Sequence, residues 1–204
     1  MTRIIAGVAG GRRLVVPGGR GTRPTSDRAR EGLFSAVQAM LGTLDGAAVL
    51  DLYAGSGAVG LEALSRGASD VLLIESDPGA AHVIMQNIES VGLPGATLVK
   101  DRVARALRRG PPRTSRPRDL VFADPPYSAG DDELGAVLGA LGTRGWLVPG
   151  ALVVLERDAR SGPPPWPAAY AQDRSRRYGE TVLWYGRAAG PAPACSEAAA
   201  PTGA

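Results

Sequence analysis

The chain contains very few of the residues that build metal sites and disulfide frameworks. Its 204 residues include one cysteine, Cys195, and one histidine, His82. A single thiol excludes an internal disulfide and a cysteine metal cluster, and a single imidazole argues against a zinc site. We therefore expect no metal ion in this protein.

Long apolar stretches are also missing. No run reaches the roughly 18 residues that span a membrane, and the first residues lack the apolar core of a signal peptide. A hydrophobic content of 44% with 21% charged residues is typical of a globular protein, and the length suits one domain. We expect a monomeric, cytoplasmic protein that does not bind membranes.

Lysine is nearly absent, and the arginines are unevenly distributed. The first 30 residues contain seven arginines and one acidic residue, Asp27, although the net charge of the whole chain is only +3. In a chain so rich in Ala, Gly and Pro, the number of arginines says little by itself. Their clustering is more informative, because a basic segment on a mildly acidic remainder predicts a polyanionic partner.

From residue 48 onwards, apolar strand-like segments alternate with segments of helical spacing. Predicted strands cover residues 48–52, 71–75, 96–99, 119–123 and 151–156. Predicted helices cover residues 27–41, 58–66, 78–91, 101–109 and 131–142. This alternation indicates an α/β protein with a mostly parallel sheet and helices on both faces. Residues 169–186, with a turn at 178–180, predict a terminal antiparallel hairpin.

A glycine-rich segment follows the first of these strands. Gly55, Gly57 and Gly60 match the pattern Gly-x-Gly-x-x-Gly, and Glu75 ends the next strand 20 residues after Gly55. Small residues let a ligand approach the backbone, and the second carboxylate can accept both hydroxyls of a ribose. Nicotinamide dehydrogenases show much the same pattern, so the glycines alone do not choose the cofactor.

Two aspartates refine this prediction. Asp51 ends the first strand, where a carboxylate suits the ammonium group of S-adenosylmethionine and would be unwelcome beside a pyrophosphate. Asp101 follows the third strand, where it could accept a hydrogen bond from an adenine amine or cap the helix that begins there. Both roles for Asp101 remain open.

The sequence Asp-Pro-Pro-Tyr at residues 124–127 follows the buried strand 119–123. Asp124 and the carbonyl of Pro125 can accept both N–H bonds of an aryl amine and so direct its lone pair toward a methyl donor. The two prolines fix the backbone, and Tyr127 can stack on the base. Together with the glycine segment, this motif predicts methyl transfer from S-adenosylmethionine to an amino nitrogen.

The chain resembles the class I methyltransferases of the 16S rRNA guanine-N2 type, the RsmD family. The motifs that carry the resemblance include Arg-Pro-Thr-Ser-Asp-Arg at residues 23–28, Asp-Leu-Tyr-Ala-Gly-Ser-Gly at 51–57, the tetrapeptide at 124–127 and Tyr-Gly-Glu-Thr at 178–181. The similarity spans roughly residues 3–186. It implies methylation of the N2 amine of one guanine in 16S rRNA, on the 30S subunit or an assembly intermediate.

The resemblance also implies an architecture. We expect a Rossmann-like class I methyltransferase fold with a seven-strand sheet, a terminal antiparallel hairpin and a small basic N-terminal β-hairpin. Residues 1–24 would form that arm within the same domain, and residues 25–187 would form the methyltransferase domain. Residues 188–204, rich in Ala and Pro, cannot bury a core and are expected to be disordered.

The site residues follow from the motifs and the resemblance. The expected catalytic residues are Asp124, Pro125, Pro126 and Tyr127. The expected contacts to S-adenosylmethionine are Asp51, Tyr53, Ala54, Gly55, Ser56, Gly57, Glu75, Ser76, Asp101, Arg102 and Asp124. The expected contacts to RNA are Arg3, Arg12, Arg13, Arg20, Arg23, Arg28, Arg30, Arg176, Arg177 and Tyr178. Arginines bound to phosphates would give affinity and a strong salt dependence.

The chain departs from the family pattern at a few positions. A larger residue than Gly32 and a phenylalanine in place of Tyr53 would be expected, and the neighbours of Asp101 are unusually basic. Other activities remain open as well: an amino methyltransferase for DNA adenine or cytosine, a protein-glutamine methyltransferase, a nicotinamide-dependent oxidoreductase, and a non-catalytic RNA-binding assembly factor. The absence of an insertion large enough for a DNA-recognition domain argues against the first.

Overall fold

Nine strands and five helices make up the part of the chain that the computed structural model describes, residues 2–18 and 27–189. The strands are β1 Thr2–Arg3, β2 Arg13–Leu14, β3 Ala48–Leu52, β4 Asp70–Glu75, β5 Ala96–Lys100, β6 Arg118–Ala123, β7 Leu147–Asp158, β8 Tyr170–Tyr178 and β9 Thr181–Ala188. The helices are α1 Asp27–Leu41, α2 Ala58–Ser65, α3 Pro78–Val91, α4 Val103–Arg109 and α5 Asp131–Thr143. None of these helices is long and apolar enough to cross a membrane.

Seven of the strands form one sheet in the order β5-β4-β3-β6-β7-β9-β8. The strands from β5 to β7 are parallel, whereas β9 runs antiparallel to both β7 and β8. The Rossmann-like sheet and its terminal antiparallel hairpin are therefore confirmed. Because β3, β4, β6 and β7 are parallel, the residues that end them meet at one edge of the sheet.

Alternate positions along the strands pack on opposite faces of this sheet. Val49 and Leu50, neighbours on β3, belong to two different apolar clusters. The first cluster includes residues of α1, α2 and α3, and the second includes residues of α4 and α5. Both faces are thus covered, which explains why the central strands read as continuous apolar runs.

The N-terminal arm, residues 2–18, packs on the face of the sheet that the first apolar cluster covers. Its strands β1 and β2 pair antiparallel, and Ile4 and Leu14 are buried in the first cluster. Glu62 of α2 accepts hydrogen bonds from the N–H groups of Ile5 at 2.6 Å and Ala6 at 3.0 Å. The predicted N-terminal hairpin is present, and it shares buried hydrogen bonds with the helix that follows the glycine segment.

Two further side chains connect the arm to the rest of the molecule. Ser65 Oγ accepts a hydrogen bond from the Ala9 N–H at 3.0 Å. Asn87, buried on α3, accepts from the Val15 N–H at 2.8 Å and donates to the Val15 carbonyl at 2.9 Å and the Ser56 carbonyl at 2.8 Å. One amide group therefore links the arm to the glycine segment.

The helix boundaries follow local signals closely where those signals are strong. Helix α3 occupies the predicted range because Asp77 caps it, accepting from the Ala80 N–H at 2.7 Å, and Pro78 opens it. Gly92, with a φ of 63°, ends it in the left-handed conformation that favours glycine. Helix α1 also covers its predicted range, 27–41.

Other boundaries differ from the prediction. Strand β7 begins at Leu147, four residues before the predicted start, with an irregular register opposite Arg118 and Leu120 on β6. Helix α4 begins at Val103 because the backbone of Arg102 is extended, with φ −67° and ψ 132°. The predicted start of the tail at residue 188 is wrong, because Ala188 is buried and ends β9. Residues 190–204, the rest of the predicted tail apart from Ala189, lie outside the described residues.

Candidate functional site

Four carboxylates stand at the carboxyl edge of the sheet. Asp51 lies near the end of β3, Glu75 ends β4, Asp124 follows β6, and Glu156 lies near the end of β7. The parallel topology brings these positions together although they are far apart in sequence. The first three were predicted as site residues, whereas Glu156 was not.

The glycine segment turns sharply between β3 and α2. Tyr53 has a φ of 58°, and within the described residues it is the single non-glycine with a positive φ; such a conformation is costly and often marks a functional turn. Gly55 and Gly57 have φ values of 57° and 75°, and Ala54 accepts a hydrogen bond from the Gly57 N–H at 2.7 Å. Ser56 is buried, and its carbonyl is held by Asn87.

The glycines of this segment have different surroundings. A Cβ on Gly60 would come within 2.8 Å of Val71 and 3.2 Å of the Asp51 carboxylate, so α2 packs closely on the sheet. A Cβ on Gly55 would meet little more than the Tyr53 carbonyl, at 3.9 Å. The backbone is therefore open at Gly55, where a ligand can approach it, and closed at Gly60.

The Asp51 carboxylate is buried beneath this turn. Its Oδ2 accepts a hydrogen bond from the Gly60 N–H at 2.9 Å. Burial raises the pKa of Asp51 to about 8; the Gly60 hydrogen bond opposes this shift and the charge of Glu75 adds to it. A cation bound here would favour the ionised form, so the carboxylate suits an ammonium ligand.

Glu75 connects β4 to the glycine turn. Its Oε2 accepts from the Gly55 N–H at 2.9 Å, and its Oε1 accepts from the N–H groups of Ser76 at 2.7 Å and Asp77 at 2.8 Å. These hydrogen bonds fix the carboxylate at the strand end while lone pairs remain for further donors. The position suits the predicted contact to a ribose.

Asp101 binds arginines of α4. Its carboxylate accepts from Arg105, from Arg109 at 3.0 Å and from the Arg102 N–H at 2.6 Å. Burial alone would raise the pKa of Asp101, but these hydrogen bonds and the two positive charges hold it below the usual value. The alternative role as helix cap is wrong, because Arg102 occupies the cap position and no side chain caps it. The predicted adenine contacts of Asp101 and Arg102 stay predictions.

The tetrapeptide at residues 124–127 forms one wall of a cavity beyond β6. The residues that line this cavity are Asp124, Pro125, Pro126, Tyr127, Ala129, Leu134, Glu156, Arg157, Asp158, Ser161 and Thr181. The Pro126 carbonyl accepts from the Ala129 N–H at 2.8 Å, which closes a turn after the prolines. Tyr127 is 74% exposed, so its ring is available to a planar ligand.

Asp124 differs from an ordinary surface carboxylate. Burial, followed by the negative charges of Glu156 and Asp51, raises its pKa well above the usual value. Tyr53 shows a related effect: burial and the charge of Glu133 raise its pKa to about 12. The Tyr53 hydroxyl is buried without a hydrogen-bond partner among the described residues. The Asp124 carboxyl and the Tyr53 hydroxyl are thus both removed from water.

Glu156 is the functional candidate that the sequence analysis missed. It is only 8% exposed, and it shares the cavity with Asp124. Like Asp51 and Asp124, it is an acid at the end of an apolar strand, and this signal could have found it. Within residues 2–18 and 27–189, no group of three or more His, Cys, Asp or Glu side chains is arranged to hold a metal ion.

The arginines predicted to bind RNA fall into different environments. Arg3, Arg12, Arg13 and Arg28 are exposed, and Arg12 donates to a carbonyl of α3 at 2.6 Å. Arg20 and Arg23 lie outside the described residues. The RNA contacts of the four exposed arginines stay predictions.

The prediction for Arg30 is wrong in this structure. The side chain is fully buried, where it donates to the Arg3 carbonyl at 2.9 Å and to Asp27 at 2.6 Å. It also lies 3.9 Å from the carboxylate of Glu62, which is paired with Arg66 at 2.7 Å. Arg30 therefore holds α1, α2 and the arm together and does not face a phosphate.

The residues near the terminal hairpin divide in the same way. Arg176 and Arg177 are exposed; Arg176 lies 5.4 Å above the ring of Tyr178, and Arg177 donates to the Gly179 carbonyl at 2.7 Å. Tyr178 packs against α1 at Gly32, with its hydroxyl buried. The structure gives Tyr178 a packing role, and the RNA contacts of Arg176 and Arg177 stay predictions.

Comparison with known proteins places this geometry among methyltransferases. A family described as conserved hypothetical protein 95 matches residues 2–187. The sequence is 36% identical, over 180 residues, to the ribosomal RNA small subunit methyltransferase D of Escherichia coli, covering 88% of this chain and 86% of that protein. The solved structure of Escherichia coli yhhF superposes with a TM-score of 0.79 at 34% identity, covering 92% of this chain and 97% of the other.

A more distant solved structure shows how widely the fold is shared. An RNA methyltransferase from Salinibacter ruber, in complex with S-adenosyl-L-homocysteine, superposes with a TM-score of 0.61. The two chains are 14% identical, and the match covers 84% of this chain and 97% of that one. At this identity the likeness concerns the fold alone.

Proposed function

We propose a specific reaction for this chain, which belongs to the conserved hypothetical protein 95 family, the RsmD type of methyltransferase, and is therefore a methyltransferase. It transfers a methyl group from S-adenosylmethionine to the exocyclic N2 amine of one guanine in small-subunit rRNA. The observation that carries this proposal is the position of Asp124, which lines the cavity with Tyr127 and neighbours the buried Asp51 under the glycine turn.

The residues at the sheet edge fit S-adenosylmethionine. The backbone at Gly55 is open to a ligand, Asp51 provides a buried carboxylate for an ammonium group, and Glu75 provides one for ribose hydroxyls. Tyr53, Ala54, Ser56, Gly57 and Ser76 would complete the contacts around these three residues. The cofactor supplies an electrophilic methyl group on a sulfonium sulfur.

Asp124 and its neighbours act by positioning the amine. The N2 nitrogen of guanine is a poor nucleophile because its lone pair is delocalised into the ring. Asp124 and the Pro125 carbonyl accept its two N–H bonds, which turns the lone pair toward the methyl group. Pro126 keeps these acceptors in place through the turn that its carbonyl closes, and Tyr127 stacks on the base. The methylated nitrogen then loses a proton to solvent or to a carboxylate.

Recognition of the RNA rests on the exposed arginines. Arg3, Arg12 and Arg13 lie on the arm and Arg28 lies on α1, while Arg176 and Arg177 of β8 would add further contacts to the RNA. The named relative in Escherichia coli acts on small-subunit rRNA. A base in a folded RNA must leave its stack to reach a cavity of this kind. We propose that the enzyme works as a cytoplasmic monomer on 16S rRNA within the 30S subunit or an assembly intermediate.

One experiment tests this function directly. The protein is incubated with labelled S-adenosylmethionine and 30S subunits from a strain that lacks its gene, and the digested rRNA is analysed by mass spectrometry. Labelled N2-methylguanosine at one position is expected. An unlabelled rRNA from an enzyme that still binds the cofactor would contradict the proposed substrate, while Asp124→Ala serves as the inactive control.

A further inference from the structure

Asp124 and Glu156 occupy neighbouring positions at the ends of two adjacent strands of the sheet. Strands β6 and β7 are parallel, and their register pairs Ala123 with Leu155. Asp124 directly follows Ala123 where β6 ends, and Glu156 follows Leu155 on β7. Register-paired residues of adjacent strands are roughly 5 Å apart, so these two acids occupy neighbouring positions at the same edge.

Both acids also belong to the same face of the sheet. Phe122 and Val154 contribute to the first apolar cluster, whereas Ala123 and Leu155 contribute to the second. Because side chains alternate along a strand, Glu156 returns to the face of Val154. Asp124 lies one residue beyond β6, but its N–H still donates to the Leu52 carbonyl of β3 at 3.4 Å, so the alternation continues from Phe122 to Asp124. Their charges influence each other, and both line the same cavity.

Asp158, the third acid that lines this cavity, is bound to Arg160. Asp158 accepts hydrogen bonds from the Arg160 backbone at 2.8 Å and from its guanidinium at 3.0 and 3.1 Å. These interactions lower its pKa to about 2. Asp158 thus shapes the loop after β7, which leaves Asp124 and Glu156 as the acids of this cavity that can be considered for contact with a ligand.

Guanine presents two neighbouring N–H donors on one edge, N1–H and N2–H. Adenine and cytosine have an acceptor at the ring nitrogen beside the amine. Building on the proposed function, we infer that Glu156 accepts the N1–H of the target guanine while Asp124 accepts the N2–H, so that Glu156 determines the specificity for guanine. The Glu156 carboxylate would repel the lone pair of the ring nitrogen in adenine or cytosine, which disfavours binding of these two bases.

The inference predicts discrimination by the wild-type enzyme. 2-Aminopurine keeps the N2 amine but carries an acceptor at N1. We expect the wild type to methylate 30S particles with 2-aminopurine at the target at least about tenfold less efficiently, in kcat/KM, than particles with guanine. The modified base can be introduced by ligation of 16S rRNA fragments followed by reconstitution. Equal kcat/KM values for the two particles would overturn the inference without any variant.

The variant Glu156→Gln tests the side chain itself. Its amide can donate to the N1 acceptor of 2-aminopurine, so the preference for guanine should fall by about tenfold or more. The same substitution at the exposed Glu89 of α3 is the matched control and should keep the wild-type preference. Cofactor affinity, measured by calorimetry, should be unchanged in both variants.

The outcomes separate this inference from the function on which it rests. Methylation of guanine particles by the wild type, with an unchanged preference in Glu156→Gln, would overturn the role of Glu156 alone. A proportional loss on both particles would show a merely structural role. If the wild type fails to label the guanine particles, the proposed function and this inference are both overturned.

Discussion

The ring of Tyr178 lies directly against Gly32 of α1. A Cβ built on Gly32 would stand 1.9 Å from the Tyr178 hydroxyl and 2.4 Å from the ring carbon that carries it. The glycine that looks like a helix defect in the sequence is therefore the position where the terminal hairpin packs against the first helix. A glycine inside a helix lowers stability by about 1 kcal/mol relative to alanine. At position 32 the absence of a side chain makes room for the Tyr178 ring.

Gly32→Ala should destabilise the protein by about 1–3 kcal/mol, because the methyl group overlaps the tyrosine ring. Gly139→Ala on α5 is the matched control, since a Cβ there meets no atom within 4 Å; it should stabilise by up to about 1 kcal/mol. Denaturant unfolding measures both. Combining Gly32→Ala with Tyr178→Ala should recover part of the loss, and strictly additive effects would contradict the contact.

Replacement by alanine should affect different properties at Arg28 and Arg30: RNA binding at Arg28 and stability at Arg30. Arg30→Ala removes a buried partner of Asp27 and Glu62 and should cost about 3–5 kcal/mol in the free energy of unfolding. Arg28→Ala should leave stability unchanged, weaken RNA binding and reduce the slope of log K against log salt by about 1. A stable Arg30→Ala protein would contradict the buried role, and an unchanged slope for Arg28→Ala would remove that residue from the RNA surface.

Cofactor binding should release protons at neutral pH. In the free protein the pKa of Asp51, raised to about 8, keeps most of this carboxyl protonated at pH 7. The ammonium group of S-adenosylmethionine favours the ionised form, so close to one proton should leave on binding, and the apparent affinity should rise with pH up to about 8. Calorimetry in buffers of different ionisation enthalpy measures the release. Asp51→Asn should abolish it; the same release from that variant would assign the proton elsewhere.

The raised pKa of Asp51 also determines how the stability of the protein changes with pH. Between its ordinary value of 3.8 and about 8, the folded protein retains a proton on Asp51 that the unfolded chain has released. This group therefore makes the cofactor-free protein lose stability as pH rises through that window. Melting temperatures of Asp51→Asn should fall less steeply over the window than those of the wild type.

Asp124→Ala should lower kcat by at least about a hundredfold, because the amine loses the acceptor that orients it. The affinity for S-adenosylmethionine should stay within about tenfold, since Asp51, Glu75 and the glycine turn provide most of its contacts. Single-turnover assays and calorimetry separate the two quantities. A large loss of cofactor affinity would mean that Asp124 contacts the cofactor more than the base.

The pH profile offers an independent check on Asp124. Its pKa is raised well above the ordinary value by burial and then by the charges of Glu156 and Asp51. The ionised carboxylate is the stronger acceptor for the N–H of the amine, so kcat/KM should rise with pH through this raised pKa. Removing one neighbouring charge with Glu156→Gln should move that rise to lower pH. A shift to higher pH would contradict the coupling of the two acids.

Much of the fold was predictable because its signals are local. Helix α3 has a capping aspartate, a proline and a terminal glycine within its own sequence, and β3 is apolar at every position except Asp51. The start of β7 was missed because its first residues pair irregularly with β6. Leu147 pairs with Arg118, which lies 29 positions earlier in the chain. Such a pairing leaves no periodic trace in either strand.

The site was predictable where a motif marks it and not where it depends on burial. Asp51 and Asp124 stand in recognisable motifs, whereas Glu156 has only the weaker sequence signal of an acid at the end of an apolar strand, and the strand register shows that it neighbours Asp124. Arg30 looks like its exposed neighbour Arg28 in sequence, and only the packing of α1 on α2 distinguishes them. A charged residue in a basic cluster is thus ambiguous until its burial is known.

The fastening of the arm has a consequence for protein engineering. Glu62, Ser65 and Asn87 supply hydrogen-bond partners to residues 5–15 from helices that belong to the catalytic body. An arm transplanted from a relative to redirect the enzyme to another RNA would keep its shape only if these three acceptors matched it. The arm therefore cannot be exchanged separately from the part of the protein that carries the glycine turn, and any exchange must include the facing surfaces of α2 and α3.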